Sequence, residues 1–296
     1  IGERGLSTSS TIYVLNGGKV VVNGACSGGG SIYVLAGGAL EYNVVELSDF
    51  KVYNYGGTVV LQGDLAIAES AEFYTTEAID MTGSTLTVNG KLYVGGNLTC
   101  ESITSNVSGA LMHVIGNVDV NPETNEAGNT VEGTGAVALE NQVDVCVEGA
   151  MTVYSLSASK GANVHADCKL VATDGVNSSI NITNGAILCA SYVKTELLHV
   201  SGGVSGDKGC VYIPDYGLVD VDKLNLGNSM LIAAYENGKA LVNAGTVTLE
   251  NKVTWENIID PTLYVNYKEI WADADPENTT LHNIATVNDD SEASCS

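Results

Sequence analysis

Apolar and polar residues alternate along most of the chain in short runs that end at glycine or asparagine. The run Ile12-Tyr13-Val14-Leu15 ends at Asn16-Gly17-Gly18, and a second alternating run begins at Val20. A period of two indicates β-strands, because successive side chains of a strand point to opposite faces. Glycine and asparagine suit the sharp corners between strands, where the backbone takes a positive φ. The pattern predicts an all-β protein of short strands.

The strands recur with a step of about twenty residues. The segment 12–18 returns as 32–38, and the row of aromatic positions is Tyr13, Tyr33, Tyr53, Tyr74 and Tyr93, with His113 at the next step. Propeller blades repeat every 40–50 residues or so, and a sandwich has no reason to place tyrosine at a constant step. We predict a single-stranded parallel β-helix (a β-solenoid) with about 20 residues per coil and about a dozen coils.

Two segments break this rhythm. The stretch from Asn121 to Asn129 has almost no apolar residue, which predicts a protruding loop near 121–133. From residue 251 the composition changes, since both tryptophans and an acidic end lie there. A solenoid must cover its last coil. We therefore assign residues 1–250 to the parallel β-helix and 251–296 to a C-terminal cap and acidic tail.

The charge balance narrows the range of partners. The chain has 35 acidic and 12 basic residues and a net charge of −23, and Arg4 is its only arginine. Such a chain cannot hold a polyanion, so we expect no nucleic-acid partner. No stretch of 18 apolar residues occurs, so no transmembrane segment is predicted. The start lacks a basic and apolar leader, and we expect an exported protein whose signal peptide has been removed.

The sequence contains no recognisable catalytic constellation. Lyases of this architecture use a cationic base, and Arg4 precedes the first coil. Asp220 and Asp222 point to one face of a strand without an evident partner, and Asp289-Asp290 lie in the tail. The four histidines are scattered. We predict no catalytic residue, no metal site, no cofactor and no enzymatic activity, and calcium binding remains a weaker alternative.

The seven cysteines fit no metal or redox motif, since neither Cys-x-x-Cys nor a zinc spacing occurs. We interpret them as small buried hydrophobes, with one disulfide as the first alternative and a catalytic or metal role as the second. Their spacing from Cys146 through Cys168 and Cys189 to Cys210 follows the repeat, but it does not place them in one register.

The tyrosine row is the most specific feature and the candidate binding site. Tyr13, Tyr33 and Tyr93 each stand between two apolar residues, so the tyrosines point outward if those neighbours point inward. Three interpretations remain open. The rings stack on one another and stabilise the sheet, form a platform for sugar rings, or contact a partner protein.

The Ile-Tyr-Val-Leu-x-Gly-Gly repeats, together with Asp144–Gly149 and Cys168–Thr173, resemble the repetitive region of LruC-domain-containing surface proteins of gut Bacteroidetes. The resemblance covers residues 10–250 and implies an exported bacterial surface protein with an adhesive or scaffolding role. Our leading hypothesis is a non-enzymatic extracellular adhesin or structural spacer whose partner is a glycan or a protein of a host or cell surface.

Two alternatives remain beside that hypothesis. One is a carbohydrate-binding or carbohydrate-active β-helix protein. The other is an extracellular eukaryotic protein, because Asn-x-Ser/Thr sequons begin at Asn97, Asn106, Asn177, Asn181 and Asn278.

Overall fold

Alternating burial along each strand determines which side chains face the interior. In the computed structural model, the strand Ser31–Leu35 buries Ile32 and Val34 and leaves its other three side chains half exposed. Burial of one such aliphatic side chain contributes about 1.5–3 kcal/mol. A slip of one residue would turn every apolar side chain outward, so the alternation fixes the inner face.

The structure describes residues 5–43, 45–120, 123–124, 130–131, 135–172, 177–202, 207–214, 217–227, 229–233, 239–250, 254–257, 262–272, 280–281 and 284–285. Their regular elements are all β-strands. Strands about 20 residues apart pair in parallel and form a β-solenoid of about 10 turns. The predicted fold class is confirmed, with about ten turns where the repeat suggested a dozen. Nowhere in the described ranges is there a helix long and apolar enough to span a membrane.

Residues 1–149 form one compact unit, and its strands make three faces. The face that we call the tyrosine face consists of Thr11–Val14, Ser31–Leu35, Lys51–Tyr55, Glu72–Thr75, Lys91–Val94, Leu111–Val114 and Asp144–Val147. A second face consists of Leu6–Ser7, Cys26–Ser27, Val45–Leu47, Leu65–Ile67, Ile79–Val88, Leu98–Ser105, Val118–Val120 and Ala136–Leu139. A third, short face consists of Lys19–Val22, Ala39–Tyr42 and Thr58–Leu61.

Glycine pairs form the corners between the tyrosine face and the short face. Gly17 and Gly37 have φ values of 76° and 78°, in the left-handed region that disfavours side chains. The Gly17 amide donates a hydrogen bond to the Gly37 carbonyl oxygen at 2.9 Å. At Gly38 a Cβ would lie 2.4 Å from the Val14 carbonyl oxygen. Glycine therefore allows successive coils to approach at these corners.

The interior of this unit is mainly apolar, and the buried polar side chains among its described residues are those of Asn54, Thr75 and Ser105. Asn54 is fully buried, and its side-chain amide donates to the Gly57 carbonyl oxygen at 3.1 Å and to Thr75 Oγ1 at 3.0 Å. Its Oδ1 accepts a hydrogen bond from the Gly57 amide at 2.9 Å. A buried amide is tolerated only when it is paired in this way, so Asn54 ties the strand end to the glycine corner.

An insertion interrupts the spacing of the unit without breaking its pairing. The strand Leu111–Val114 pairs in register with Asp144–Val147, which puts Met112 beside Val145, 33 residues further on. Between them, Glu123–Thr124 and Thr130–Val131 form an antiparallel ribbon. Most of the loop predicted near 121–133 lies outside the described residues.

Residues 150–296 form a second compact unit, again of parallel strands. One row consists of Asn163–Ala166, Ile187–Ala190, Gly209–Ile213, Ser229–Ala233, Thr254–Asn257 and Thr280–Leu281. The other consists of Ala150–Val153, Ser155–Ala158, Lys169–Ala172, Ser179–Thr183, Tyr192–Ser201, Leu218–Gly227, Lys239–Glu250, Thr262–Ala272 and Ile284–Ala285.

Parallel pairing continues beyond residue 250, since Lys239–Glu250 pairs with Thr262–Ala272 and Ser229–Ala233 with Thr254–Asn257. The C-terminal cap and acidic tail assigned to 251–296 stay a prediction, because the rest of that segment lies outside the described residues.

Candidate functional site

The tyrosine row occupies equivalent positions on successive strands of the tyrosine face. Parallel pairing places Tyr13 beside Tyr33, Tyr33 beside Tyr53, Tyr53 beside Tyr74 and Tyr74 beside Tyr93. Their neighbours along the strands, such as Ile32 and Val34, are buried. The side chains of the row therefore point outward, as the alternation requires.

The rings of the row contact one another from coil to coil. The ring centroids lie 5.3 Å apart for Tyr13–Tyr33, 4.9 Å for Tyr33–Tyr53 and 4.6 Å for Tyr74–Tyr93, and these three pairs are stacked. Tyr53 and Tyr74 are 6.5 Å apart and tilted. These are the distances of favourable aromatic pairs. Most ring faces are therefore covered by a neighbouring ring, and mainly edges and hydroxyl groups remain open.

Tyr55 is a sixth member of the cluster that the step of twenty does not reveal. Its ring lies 6.4 Å from that of Tyr33 and 5.3 Å from that of Tyr74. Tyr55 follows Tyr53 by two residues on the same strand, so both side chains leave the same face. The period of two was the signal that could have identified it. Tyr55 therefore connects the Tyr33 ring to the Tyr74 ring.

A carboxylate on the next coil sets the electrostatics of the cluster. The Tyr53 hydroxyl donates a hydrogen bond to Glu72 Oε2 at 3.2 Å. Desolvation, followed by the negative charge of Glu72 and this hydrogen bond, raises the pKa of Tyr53 to about 12. Desolvation and the neighbouring rings also raise the pKa of Tyr55. Both phenols are therefore neutral hydrogen-bond donors across the physiological pH range.

The row continues into a histidine and a cysteine at the far end of the unit. The His113 ring meets Tyr93 edge-on at 5.2 Å, and its Nε2 lies 2.9 Å from Glu148 Oε1. Cys146 is the register partner of His113 on the next strand. It is half exposed and takes part in no disulfide.

The second unit carries a similar row of side chains. His165 is in register with Cys189, and Cys189 with Tyr212. His165 Nε2 lies 2.6 Å from Asp167 Oδ1. Burial, and then the negative charge of Asp167, raises the pKa of the Cys189 thiol. A raised pKa keeps this cysteine as the thiol, whereas nucleophilic catalysis needs a thiolate.

The cysteines divide between the interior and the surface. Cys26 and Cys100 are buried, as interpreted from the sequence, whereas Cys146, Cys189 and Cys210 are half exposed, and none of these five forms a disulfide. Burial raises the pKa of Cys100 to about 12. Cys26 Sγ lies 3.7 Å from the Tyr42 hydroxyl oxygen inside the first unit. The interpretation of the cysteines as buried hydrophobes therefore holds for Cys26 and Cys100 and does not hold for Cys146, Cys189 and Cys210.

The acidic pair considered from the sequence, Asp220 and Asp222, lies on the strand Leu218–Gly227. Asp220 Oδ1 accepts a hydrogen bond from the Asn243 side-chain amide at 3.1 Å, and Asp222 is exposed. Asp289 and Asp290 lie outside the described residues. Within the ranges that the structure describes, no three His, Cys, Asp or Glu side chains are grouped as a metal ion would require.

Comparison with family models, with curated proteins and with solved structures found no match.

Proposed function

We propose that this chain is a non-enzymatic structural protein of an extracellular surface, acting as an adhesin or spacer. The observation that carries the proposal is the row of mutually stacked side chains on the tyrosine face. The faces of its rings are mainly in contact with neighbouring rings, which favours the interpretation that the row stabilises the sheet over a platform for sugar rings. A structural protein must keep a fixed shape, and contacts between neighbouring coils stabilise that shape.

Polar side chains support the same interpretation, because they also bridge neighbouring coils. Lys19 Nζ lies 2.6 Å from Glu41 Oε2, and the Gln62 side-chain amide donates to Glu41 Oε1 at 3.0 Å. The Ser31 hydroxyl donates to Thr11 Oγ1 at 3.2 Å. Each exposed pair contributes little by itself. Together with the backbone ladder, such contacts link each coil to the next.

The backbone spacing supports a spacer role. The seven strands of the tyrosine face make six coil-to-coil steps, and at about 4.8 Å per step they extend for about 29 Å. Adding a coil would therefore add about 4.8 Å at a cost of about 20 residues. Length would then be set by the number of coils.

The acidic surface and the family resemblance support the proposed location. A net charge of −23 and a pI of about 4.2 make chains repel one another and keep them soluble. The resemblance to repetitive regions of LruC-domain-containing bacterial proteins favours export to a cell surface. A glycan or a protein of a host or cell surface is the partner that an adhesin there would bind.

The proposal is tested by presenting the protein on beads to cultured cells, to a glycan array and to a panel of polysaccharides. We expect bead retention on cells or on a matrix protein, and no new reducing ends from any polysaccharide. A variant with residues 51–71 duplicated, which adds one coil, should fold and retain the same binding. Release of reducing ends would refute the non-enzymatic assignment. Absence of binding to every surface tested would refute the adhesin role, and the spacer role would be the one that remains.

Carbohydrate binding is a second candidate, favoured by the two most exposed tyrosines of the cluster on the tyrosine face. Tyr13 is 62% and Tyr55 44% exposed, and an open tyrosine can stack on the apolar face of a sugar ring. On a glycan array, Tyr55→Ala should then lose signal. Tyr93→Ala, between Tyr74 and His113 in the row, is the matched control and should retain it.

A further inference from the structure

Tyr55 and Tyr74 are diagonal neighbours on adjacent strands of the tyrosine face. Tyr53 is the register partner of Tyr74, and Tyr55 follows Tyr53 by two residues on the strand Lys51–Tyr55. Adjacent strands lie about 4.8 Å apart and each residue advances by about 3.3 Å, so the Cα atoms of the diagonal pair are about 8 Å apart. Their ring centroids are only 5.3 Å apart, with the planes at 41°. The pair therefore combines close rings with well-separated backbones.

This combination meets the requirement of one covalent bond, the carbon–carbon bond between two phenol rings. Oxidised phenols couple through the ring carbons ortho to the hydroxyl group. In the product, the two Cβ atoms lie at the outer sides of two directly bonded rings, so they are further apart than one strand spacing of about 4.8 Å. A diagonal pair provides that separation, whereas a pair in register would have to force its two strands apart.

Other ring pairs of the tyrosine face provide the comparison. Tyr13 and Tyr33 have the same centroid distance of 5.3 Å, but they are register partners. Tyr74 and Tyr93 are stacked in register too. The second diagonal pair, Tyr33 and Tyr55, has its ring centroids 6.4 Å apart. Of the two diagonal pairs, Tyr55–Tyr74 has the closer rings.

We propose that Tyr55 and Tyr74 form an oxidative cross-linking site, at which a haem peroxidase using hydrogen peroxide joins two coils by a dityrosine bond. Tyr55 is 44% exposed and Tyr74 is half exposed, so both phenols are open to oxidation. One electron and one proton leave each phenol, a bond forms between the two ortho carbons, and the hydrogen on each of these carbons moves to its phenol oxygen. The protein loses two hydrogen atoms in all, and hydrogen peroxide is reduced to two water molecules.

The bond would fasten one coil to the next within a single chain. Tyr55 and Tyr74 lie on consecutive strands of the tyrosine face, so the cross-link closes a loop of one coil and restricts the unfolded chain. A net charge of −23 keeps separate molecules apart. Two rings already in contact therefore couple more readily than two rings on different molecules.

The site is tested by treating the full 296-residue chain, at low concentration, with a haem peroxidase and hydrogen peroxide. Digestion after Lys and Glu separates Tyr55 from Tyr74 and Tyr13 from Tyr33, and mass spectrometry then detects peptides that have become joined. The Tyr55 and Tyr74 peptides should be joined, with the loss of two hydrogen atoms, at least tenfold more often than the Tyr13 and Tyr33 peptides. Equal joining of both pairs, no joining of Tyr55 to Tyr74, or joining only between separate chains would each overturn the proposal.

Two conservative substitutions identify the tyrosine that couples to Tyr74. Tyr55→Phe should abolish the joined peptide. Tyr53→Phe is the matched control, because Tyr53 lies on the same digestion peptide and is the register partner of Tyr74, and this variant should retain the joined peptide. Both variants keep the aromatic ring and its contacts. Loss in Tyr53→Phe with retention in Tyr55→Phe would refute the diagonal geometry. None of these outcomes depends on whether the protein is an adhesin, a spacer or a glycan binder.

Discussion

Truncation of Tyr33 to alanine should lower the free energy of unfolding of the first unit by about 1–3 kcal/mol. The Tyr33 ring stacks on Tyr13 at 5.3 Å and on Tyr53 at 4.9 Å, and each such pair contributes about 0.5–1.5 kcal/mol. An independent limit agrees, because truncating a fully buried aromatic residue costs about 3–5 kcal/mol and Tyr33 is only half buried.

Two further substitutions separate stacking from other effects of the truncation. Tyr13→Ala removes one stacked pair, whereas Tyr33→Ala removes two, so Tyr13→Ala should lower the free energy of unfolding by only about 0.5–1.5 kcal/mol. Tyr33→Phe keeps the ring and removes the hydroxyl, so it should cost little. Urea unfolding followed by far-ultraviolet circular dichroism measures these differences. The same probe must be used for every variant, because a repeat protein can unfold in parts.

The reasoning would be refuted if Tyr33→Phe were as unstable as Tyr33→Ala, or if Tyr33→Ala were no less stable than Tyr13→Ala. A glycan array run with the double variant Tyr33→Ala, Tyr53→Ala decides between the interpretations of the row. A sugar platform requires binding to be lost at temperatures where the variant is still folded. The stacking interpretation requires binding to be unchanged while the midpoint of thermal unfolding falls.

Further predictions concern the polar groups. Asn54→Val should destabilise the first unit by about 2–4 kcal/mol, because it removes three buried hydrogen bonds, with the Gly57 carbonyl, the Gly57 amide and the Thr75 hydroxyl; urea unfolding measures the loss. The pKa of Tyr53 is about 12 in the folded protein, against an ordinary value of 10.0 that applies to the unfolded chain. The stability that this difference contributes is therefore complete below pH 10 and falls as the pH rises toward 12. Absorbance at 295 nm should show this late titration, and Glu72→Gln should move it to lower pH. Iodoacetamide should react slowly with Cys189 at neutral pH, and Asp167→Asn should accelerate the reaction by lowering the thiol pKa; no acceleration in a mass-spectrometric time course would contradict the assigned cause.

The repeat allowed the architecture and the tyrosine register to be predicted, because both depend on a local period. Side chains two residues apart share a face of a strand, and strands one coil apart share a register. The positions of Tyr13, Tyr33 and Tyr93 outside the core follow from those two rules. The step of twenty does not indicate Tyr55, which only the period of two along its strand reveals. The role of the buried Asn54 cannot be predicted from either period, since it depends on hydrogen bonds with Gly57 and Thr75.

The cysteine series shows where regular spacing fails as a predictor. Cys189 and Cys210 are 21 residues apart, yet Cys210 pairs with Ile187 and Cys189 with Tyr212, an offset of 23 residues. The register offset thus exceeds the cysteine spacing by two residues, which belong to the connection between the strands. Because side chains two residues apart share a face, Cys210 still points outward, but it lies beside Ile187 and not beside Cys189. Spacing therefore predicts facing better than it predicts contact.

The 33-residue step between Met112 and Val145 has a consequence for how such chains can change over generations. The strands on either side pair in register although the connection is longer than a coil. Extra sequence entering the gene at a corner therefore alters a connection and leaves the ladder intact, whereas an insertion of one residue within a strand would invert its inner and outer faces. Recombination can thus lengthen or decorate the molecule at its corners, and the same corners are the places to insert an epitope or a fused domain.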